Sequence, residues 1–197
     1  MPYTEPLEPT DTRTALAEAF RDSMLGLRRG VVDLSAPAES WARTFEAVRD
    51  ALAPSAPASV VAIEHIGSTA VPGLDAKPIL DICIAVRAGT PLESLDAWLT
   101  SAGMLLRGDA NDIRPDRMYG FELEPMIRLA NVHVLEHGSP GWRRYLAFRD
   151  HLRANAQDRR EYGRLKHALA VQHPDDRLAY IAGKQDYIVA RHEMAAG

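Results

Sequence analysis

The residues best suited to chemistry lie in one stretch, residues 63–86. Gly67 and Ser68 form a small-residue turn after an apolar run, and thirteen residues further on Asp81 stands in the middle of a second apolar run. Burying a carboxylate among isoleucine and leucine side chains costs several kcal/mol unless a cation, a metal or hydrogen-bond donors compensate it. The sequence therefore predicts a compensated acid at Asp81.

The turn before that acid has the composition of a phosphate-binding loop. Glycine lets a backbone approach a phosphate closely, and the hydroxyls and amides of Ser68 and Thr69 can donate hydrogen bonds to it. We therefore expect a phosphate cradle at residues 67–69, facing a metal-binding acid on the next strand.

The surrounding periodicity predicts the elements that position these residues. Apolar runs predict strands, and apolar residues at spacings of three and four predict helices. The predicted strands are 31–34, 60–66, 79–86, 104–107, 117–122 and 126–136, and the predicted helices are 12–28, 39–52, 90–102, 142–155, 158–172 and 175–195. Residues 1–11 are expected to be a disordered lead, and residues 108–117 an exposed loop that could close over a substrate.

This order indicates an α+β fold, with a C-terminal helical segment packed on the α+β body. We divide the chain into an N-terminal extension (1–30), an α+β core (31–140) and a C-terminal helical region (141–197), expected to form one compact unit with the core.

Composition narrows the class of protein. The chain has 197 residues, 46% of them hydrophobic, with a formal net charge of −4, which gives no global reason to expect nucleic acid as a partner. Its single cysteine, Cys83, excludes an internal disulfide and lies in a predicted buried strand, where packing is its expected role. We find no stretch long enough to cross a membrane and no signal-peptide pattern near Met1, so we expect a soluble cytoplasmic protein.

A longer pattern carries a resemblance to a known family. The string from His65 to Leu74, together with Lys77-Pro78-Ile79-Leu80-Asp81-Ile82, resembles GrpB-type proteins (UPF0157), which are also met as a domain appended to dephospho-CoA kinases. Val132-His133-Val134 and Phe148-Arg149-Asp150 extend the resemblance, which covers residues 31–197. It implies a nucleotidyltransferase-like fold, a mixed β-sheet flanked by helices, in which a Gly-Ser turn holds nucleotide phosphates and acids on the next strand hold magnesium. The implied cofactor is Mg²⁺ or Mn²⁺.

The resemblance also implies roles for individual residues. Asp81 would be the metal ligand, and His133 an auxiliary ligand or general base. Lys77 would stabilise charge on the phosphoryl group, and His65 would either shape the turn or contact the ligand. The expected phosphate-binding set is completed by Gly67, Ser68, Thr69, Arg149, Lys166 and Lys184. The implied partners are a nucleoside triphosphate and an unidentified small acceptor.

One departure from the superfamily pattern bears on activity. Active nucleotidyltransferases usually carry acids at alternate positions of the second strand. Here Cys83 lies two residues after Asp81, where a second acid would be expected, and a neutral thiol is a poor magnesium ligand. Three hypotheses follow: nucleotidyl transfer with release of pyrophosphate, a non-catalytic nucleotide- or phosphometabolite-binding module, or a metal held by Asp81 and His133 for another phosphate chemistry. The sequence does not decide the oligomeric state.

Overall fold

The structure, a computed structural model, describes residues 11–109 and 116–195, with side chains described through Arg191. Almost all of the predicted lead at 1–11 and most of the predicted loop at 108–117 lie outside the described residues. In chain order the elements are α1 (Thr12–Phe20), β1 (Leu27–Arg28), α2 (Ser40–Leu52), β2 (Val60–Ile66), β3 (Leu80–Val86), α3 (Asp96–Ser101), β4 (Leu105–Gly108), β5 (Arg117–Phe121), β6 (Ile127–Arg128), β7 (Ala130–Glu136), α4 (Pro140–Ala154), α5 (Ala156–Gln172) and α6 (Arg177–Ala195).

Five of the strands form one mixed sheet in the order β2-β3-β7-β5-β4. Strands β3 and β7 are parallel neighbours at its centre, and the other pairings are antiparallel. Side chains alternate between the two faces of a strand. Leu80, Ile82 and Ile84 of β3 are fully buried in the main core with residues of α1, α2 and α3, so Asp81 and Cys83 point to the opposite face. The predicted α+β fold with a mixed sheet is confirmed.

The C-terminal helices cover that second face. Trp142, Tyr145 and Leu146 of α4 pack against a cluster of Ile66, Cys83 and Leu135 on the sheet. A further cluster joins Val71 and Leu74, which follow the Gly-Ser turn, to residues of α4, α5 and α6. The C-terminal helices therefore lie over the turn and over the face that carries Asp81. The division of the chain at residues 30 and 140 stays a prediction.

The first helix is shorter than predicted. The pattern predicted residues 12–28, but α1 ends at Phe20 and Leu27–Arg28 is a strand. The hydroxyl of Ser23 donates to the carbonyl of Phe20 at 2.8 Å, and Met24 and Gly26 have φ angles of 59° and 137°, outside the helical region. Local turn chemistry ends the helix, although the apolar spacing continues.

Two strand predictions were also wrong: one strand is shorter than predicted, and the other does not form. The predicted strand 126–136 is broken: Met126 has a φ of 70°, Ile127–Arg128 pairs with Leu27–Arg28 in a separate two-stranded sheet, and β7 begins only at Ala130. The predicted strand 31–34 does not form, and that segment is followed by one isolated bridge between Ser35 and Ala76. Within the described parts of the chain, no helix combines the length and the apolar character needed to cross a membrane.

Candidate functional site

The sheet register brings the polar residues of β3 and β7 together. Asp81 pairs with Asn131, and Cys83 pairs with His133, across the parallel β3–β7 ladder. Because the side chains alternate with a period of two, these four residues lie on the same face of the sheet. Asp81 and His133, which the sequence predicted to share a site, are therefore neighbours.

Protein groups compensate the acid at the centre of the site. Asn131 donates its amide Nδ2 to Oδ1 of Asp81 at 2.8 Å, and Nε2 of His133 lies 4.0 Å from the same oxygen. Burial opposes ionisation of Asp81, but His133, Asn131 and the charge of Lys77 outweigh it and hold the pKa of the carboxyl below its usual range. The Asp81 side chain keeps 30% of its surface exposed, so the carboxylate remains open to a ligand.

His133 lies between two acids. Its Nδ1 is 2.5 Å from Oδ2 of the buried Asp116, and the hydroxyl of Tyr145 lies 3.2 Å from the same nitrogen. Burial by itself would lower the pKa of the imidazole, but the hydrogen bond to Asp116 and the proximity of Asp81 raise it to about 9. At neutral pH His133 is therefore an imidazolium, which supplies the cation that Asp81 requires.

The Gly-Ser turn approaches the acid very closely. Gly67 has a φ of 70°, and a Cβ atom at this position would overlap Oδ2 of Asp81 and lie 2.8 Å from its Cβ. Only glycine fits both the backbone conformation and the available space. The next residue, Ser68, interacts with the phenol of Tyr162 on α5. The turn, the acid and the C-terminal helices thus meet at one point.

The other two residues predicted around the turn point elsewhere. His65 pairs with Ile82 and lies on the opposite face from Asp81, where it stacks on Phe45 with ring centres 4.8 Å apart. Its Nε2 is 3.0 Å from the hydroxyl of the buried Thr69. Burial lowers the pKa of His65 to about 4, so the ring is neutral at physiological pH. His65 thus contacts Thr69 of the turn, and which of its two expected roles it has stays a prediction.

The three lysines of the chain converge on this site. Arginine supplies the other twenty of the 23 basic residues, and Lys77, Lys166 and Lys184 are the only lysines in the sequence. The ammonium groups of Lys77 and Lys184 lie 5.4 Å and 4.3 Å from the ring centre of Tyr180, and that of Lys166 lies 5.1 Å from the ring centre of Tyr162. We call Lys77, Lys166 and Lys184 the lysine cluster.

The lysine cluster is buried enough to change its protonation. Lys166 is only 2% exposed and donates to the backbone carbonyl of Asp75. Burial, followed by the charges of Lys184 and Lys77, lowers its pKa to about 7 despite the nearby Asp75, and burial together with Lys77 lowers the pKa of Lys184 to about 8. Each of these cations is therefore poorly neutralised by the protein, and an anion bound beside them would restore their charge.

Arg149, also predicted to bind phosphate, is engaged within the protein. Its Nη1 donates to Glu64 and to the carbonyl of His65, both at 2.9 Å, and its Nε donates to Asp150 at 2.8 Å. These bonds tie α4 to the edge strand β2. The structure therefore does not bring Arg149 to the lysine cluster with Lys166 and Lys184.

The donor set around Asp81 does not suit a resident metal. Across residues 11–109 and 116–191, no group of three or more His, Cys, Asp or Glu side chains is placed to hold a metal ion. Cys83 is fully buried under α4, and burial raises the pKa of its thiol to about 12. In the metal-free protein the pKa of His133 is raised to about 9, so a metal ion at its Nε2 would have to displace a proton. Among the described residues, Asp81 offers a partly exposed carboxylate to a magnesium ion, which at such a site would depend on substrate phosphates for its other ligands.

Several site residues were missed from the sequence. Asn131 precedes His133 by two positions, and this period-two spacing could have identified it as a neighbour of Asp81. The sequence around Asp116 and Tyr145 does not indicate that they belong to the site, because Asp116 precedes β5 and Tyr145 lies on α4, both outside the strands that carry Asp81 and His133. They reach His133 only through the tertiary fold.

A five-stranded mixed sheet, with three C-terminal helices over an acid, a glycine turn and a lysine cluster, defines the structural class. The chain belongs to the GrpB family, whose profile, described as GrpB protein, matches residues 31–193.

Its relatives include the UPF0157 protein YqkA of Bacillus subtilis (strain 168), which is 38% identical over 157 residues, 80% of this chain and 45% of that protein. The UPF0157 protein PA4798 of Pseudomonas aeruginosa is 41% identical over 153 residues, 77% of this chain and 62% of that protein. The chain thus spans about half to three fifths of these two relatives.

A solved structure supports the fold. The crystal structure of the conserved protein GrpB from Enterococcus faecalis matches with a TM-score of 0.72 and 29% identity, covering 83% of this chain and 96% of that one. The overall fold is therefore shared with that protein.

Proposed function

We propose that this protein binds a nucleoside triphosphate or a related phosphorylated metabolite, with the phosphates held by the lysine cluster and the Gly67-Ser68 turn. The observation that carries the proposal is the convergence of all three lysines of the chain beside this turn. Two of the three ammonium groups have pKa values lowered to about 7 and about 8. Phosphate oxygens are the ligands that such a set of ammonium groups and a glycine turn bind well.

Three further features support phosphate recognition. Gly67 has no side chain to keep a ligand away from the backbone, and Ser68 offers a hydroxyl next to Tyr162. His133, which is shared with Asp116, partly compensates the charge of Asp81, so this carboxylate repels a phosphate less than an unpaired acid would. The rings of Tyr162 and Tyr180 hold the lysine stems and limit the entropy lost on binding.

Nucleotidyl transfer is a second candidate, favoured by the position of Asp81. Its partly exposed carboxylate lies against Gly67, where a metal ion carried in by a triphosphate would need an oxygen ligand. The role proposed for this carboxylate is therefore to orient the phosphates of a bound nucleotide, and a small acceptor would complete the reaction. A non-catalytic binding module would hold the nucleotide in the same way but would not transfer the nucleotidyl group.

Calorimetry separates these proposals. We expect ATP and pyrophosphate to bind in the presence of EDTA, and the variants Lys184→Met and Lys77→Met to weaken binding about tenfold or more. Arg144→Met, which removes an exposed cation of α4, is the matched control and should leave affinity unchanged. Equal affinities in all four proteins would refute the lysine site. With Mg²⁺ or Mn²⁺ and a panel of small acceptors, release of pyrophosphate from ATP that requires an acceptor and is lost in Asp81→Asn would establish transfer; binding without release across the panel would favour the module.

A further inference from the structure

A second basic site lies beside the first. A cavity of about 460 Å³ opens between the small sheet β1–β6, the start of β3 and the start of α6. Among the residues that line it are six cations: Arg28, Arg29, Arg107, Arg128, Arg177 and Lys77. No acidic side chain is among its described lining residues. We call this space the arginine cavity; its cationic lining contrasts with the net charge of −4 of the whole chain.

The arginine cavity is organised by one internal carboxylate. The side chain of Glu122 is only 6% exposed, and its Oε1 accepts from Nη2 of Arg107 at 2.9 Å and from Nε of Arg128 at 3.0 Å. Arg29 lies 3.8 Å from the same oxygen. One carboxylate thus balances three guanidinium groups, and a surplus of positive charge remains in the cavity. Such like-charged clustering is costly unless an anion enters.

Donor groups remain for a ligand. Among the described residues, the buried Nε of Arg107 has no hydrogen-bond partner. Arg28 and Arg177 are exposed at the rim, and no ion pair is described for either. Guanidinium groups present paired donors that match the oxygens of carboxylates and phosphates. Leu27, Ile79 and Met118 add an apolar part to the lining, which suits a small organic anion.

The arginine cavity connects to Asp81 through a single amide. Asn131 accepts from Nη1 of Arg128 at 2.8 Å and donates to Asp81 at 2.8 Å. The guanidinium of Arg128 also lies close to Gly120 of β5, where a Cβ atom would be 2.5 Å from its Cζ. Lys77 belongs both to the lysine cluster and to the lining of the arginine cavity. A molecule in the cavity would therefore lie next to a phosphate group held by the lysine cluster.

We infer that the arginine cavity is a separate binding site for a second ligand, a small molecule that carries carboxylate or phosphate groups. It extends the proposed function, because it holds a different molecule from the nucleotide and does not require one to be bound. The two adjacent sites have the arrangement expected of a protein that brings two anionic molecules together.

Titration of anions into the nucleotide-free protein tests this inference. Citrate and pyrophosphate are the probes, and they report carboxylate and phosphate chemistry respectively. Arg107→Gln should weaken binding of at least one probe about tenfold, because it removes charge-assisted hydrogen bonds while leaving Arg128 and Arg29 on Glu122. Arg28→Gln should weaken the same probe. Because Arg28 is exposed at the rim, we expect this variant to fold normally. Arg43→Gln, on α2 with 70% of its side chain exposed, is the matched control.

The lysine variant separates the two sites. The anion binding that is weakened by Arg107→Gln and Arg28→Gln should persist in Lys184→Met. The inference is overturned if neither probe responds to Arg107→Gln and Arg28→Gln, or if Lys184→Met abolishes all anion binding. The proposed function is judged separately, by ATP binding. If ATP binding survives in Arg107→Gln and is lost in Lys184→Met, the proposed function stands whether or not the arginine cavity binds an anion.

Discussion

Nε2 of His133 lies 4.0 Å from Oδ1 of Asp81, and the opposite nitrogen of the same ring lies 2.5 Å from Asp116. One imidazolium thus serves two carboxylates, one buried and one open to the site. The arrangement explains how an acid can stand in a strand of isoleucine and leucine without a metal. It also leaves the lysine cluster as the surplus charge available to a ligand.

Asp81→Asn should lower the pKa of His133 from about 9, because one of the two acids that raise it is removed. NMR titration of the imidazole signals measures this pKa directly. Asp50→Asn, with 68% of its side chain exposed on α2, is the control and should leave it unchanged. An unchanged His133 pKa in Asp81→Asn would contradict the coupling of these two residues.

The same pair predicts a pH dependence of stability. The pKa of His133 is raised from 6.5 to about 9, so its contribution is complete below pH 6.5 and is lost as the pH rises towards 9. The full contribution is on the order of 3 kcal/mol. Lys166 and Lys184 have lowered pKa values, so their contributions to stability change with pH in the opposite direction. The test therefore compares the pH-dependent loss of stability in two proteins. Urea unfolding at pH 6.5 and 9 should show a smaller loss in Asp81→Asn than in the unmodified protein.

Gly67→Ala should destabilise the protein more than Gly73→Ala. Both glycines have left-handed backbones, with φ of 70° and 75°, and each alanine should cost about 1 kcal/mol for that reason. At Gly67 the new methyl group would also overlap Asp81, whereas at Gly73 nothing lies within 4 Å. The overlap should add about 1–3 kcal/mol, measured by urea unfolding. Equal losses in the two variants would show that the close approach to Asp81 is not rigid.

Pyrophosphate binding should be accompanied by proton uptake between pH 7 and 8. The pKa values of Lys166 and Lys184 are lowered to about 7 and about 8 in the free protein, and a bound anion would raise them again. Calorimetry in buffers of different ionisation enthalpy should report uptake of at most roughly 0.6 proton at pH 7 and roughly 1.4 protons at pH 8. Lys166→Met should reduce the uptake, and Arg144→Met should not. Binding without any uptake would place the anion away from these lysines.

Much of the fold could be predicted from periodicity, with errors where local geometry overrides it. Strand β2 has the predicted bounds, and β3 begins one residue later than predicted, because their apolar, β-branched runs are flanked by Pro and Gly. Helix α1 was overextended since the apolar spacing continues past the turn at Ser23 and Met24.

The site could be predicted only in part. Asp81, Gly67 and the three lysines were identified from the turn, the buried acid and the family resemblance. The arginine cavity could not be, because Arg28, Arg107 and Arg177 come from distant segments and meet only through the β1–β6 pairing and the position of α6. Asp116 was missed for the same physical reason: its partner His133 is brought to it by the antiparallel pairing of β5 with β7.

The most direct test of the lysine cluster uses the fact that the chain has three lysines. Protein labelled with ¹³C and ¹⁵N in lysine alone should give one side-chain signal for each of Lys77, Lys166 and Lys184, assigned by the three Lys→Met variants. We predict that titration with pyrophosphate in EDTA shifts all three signals with a common dissociation constant. If the three signals stay unmoved at saturating pyrophosphate or ATP, the lysine cluster does not bind phosphates and the proposed function is wrong.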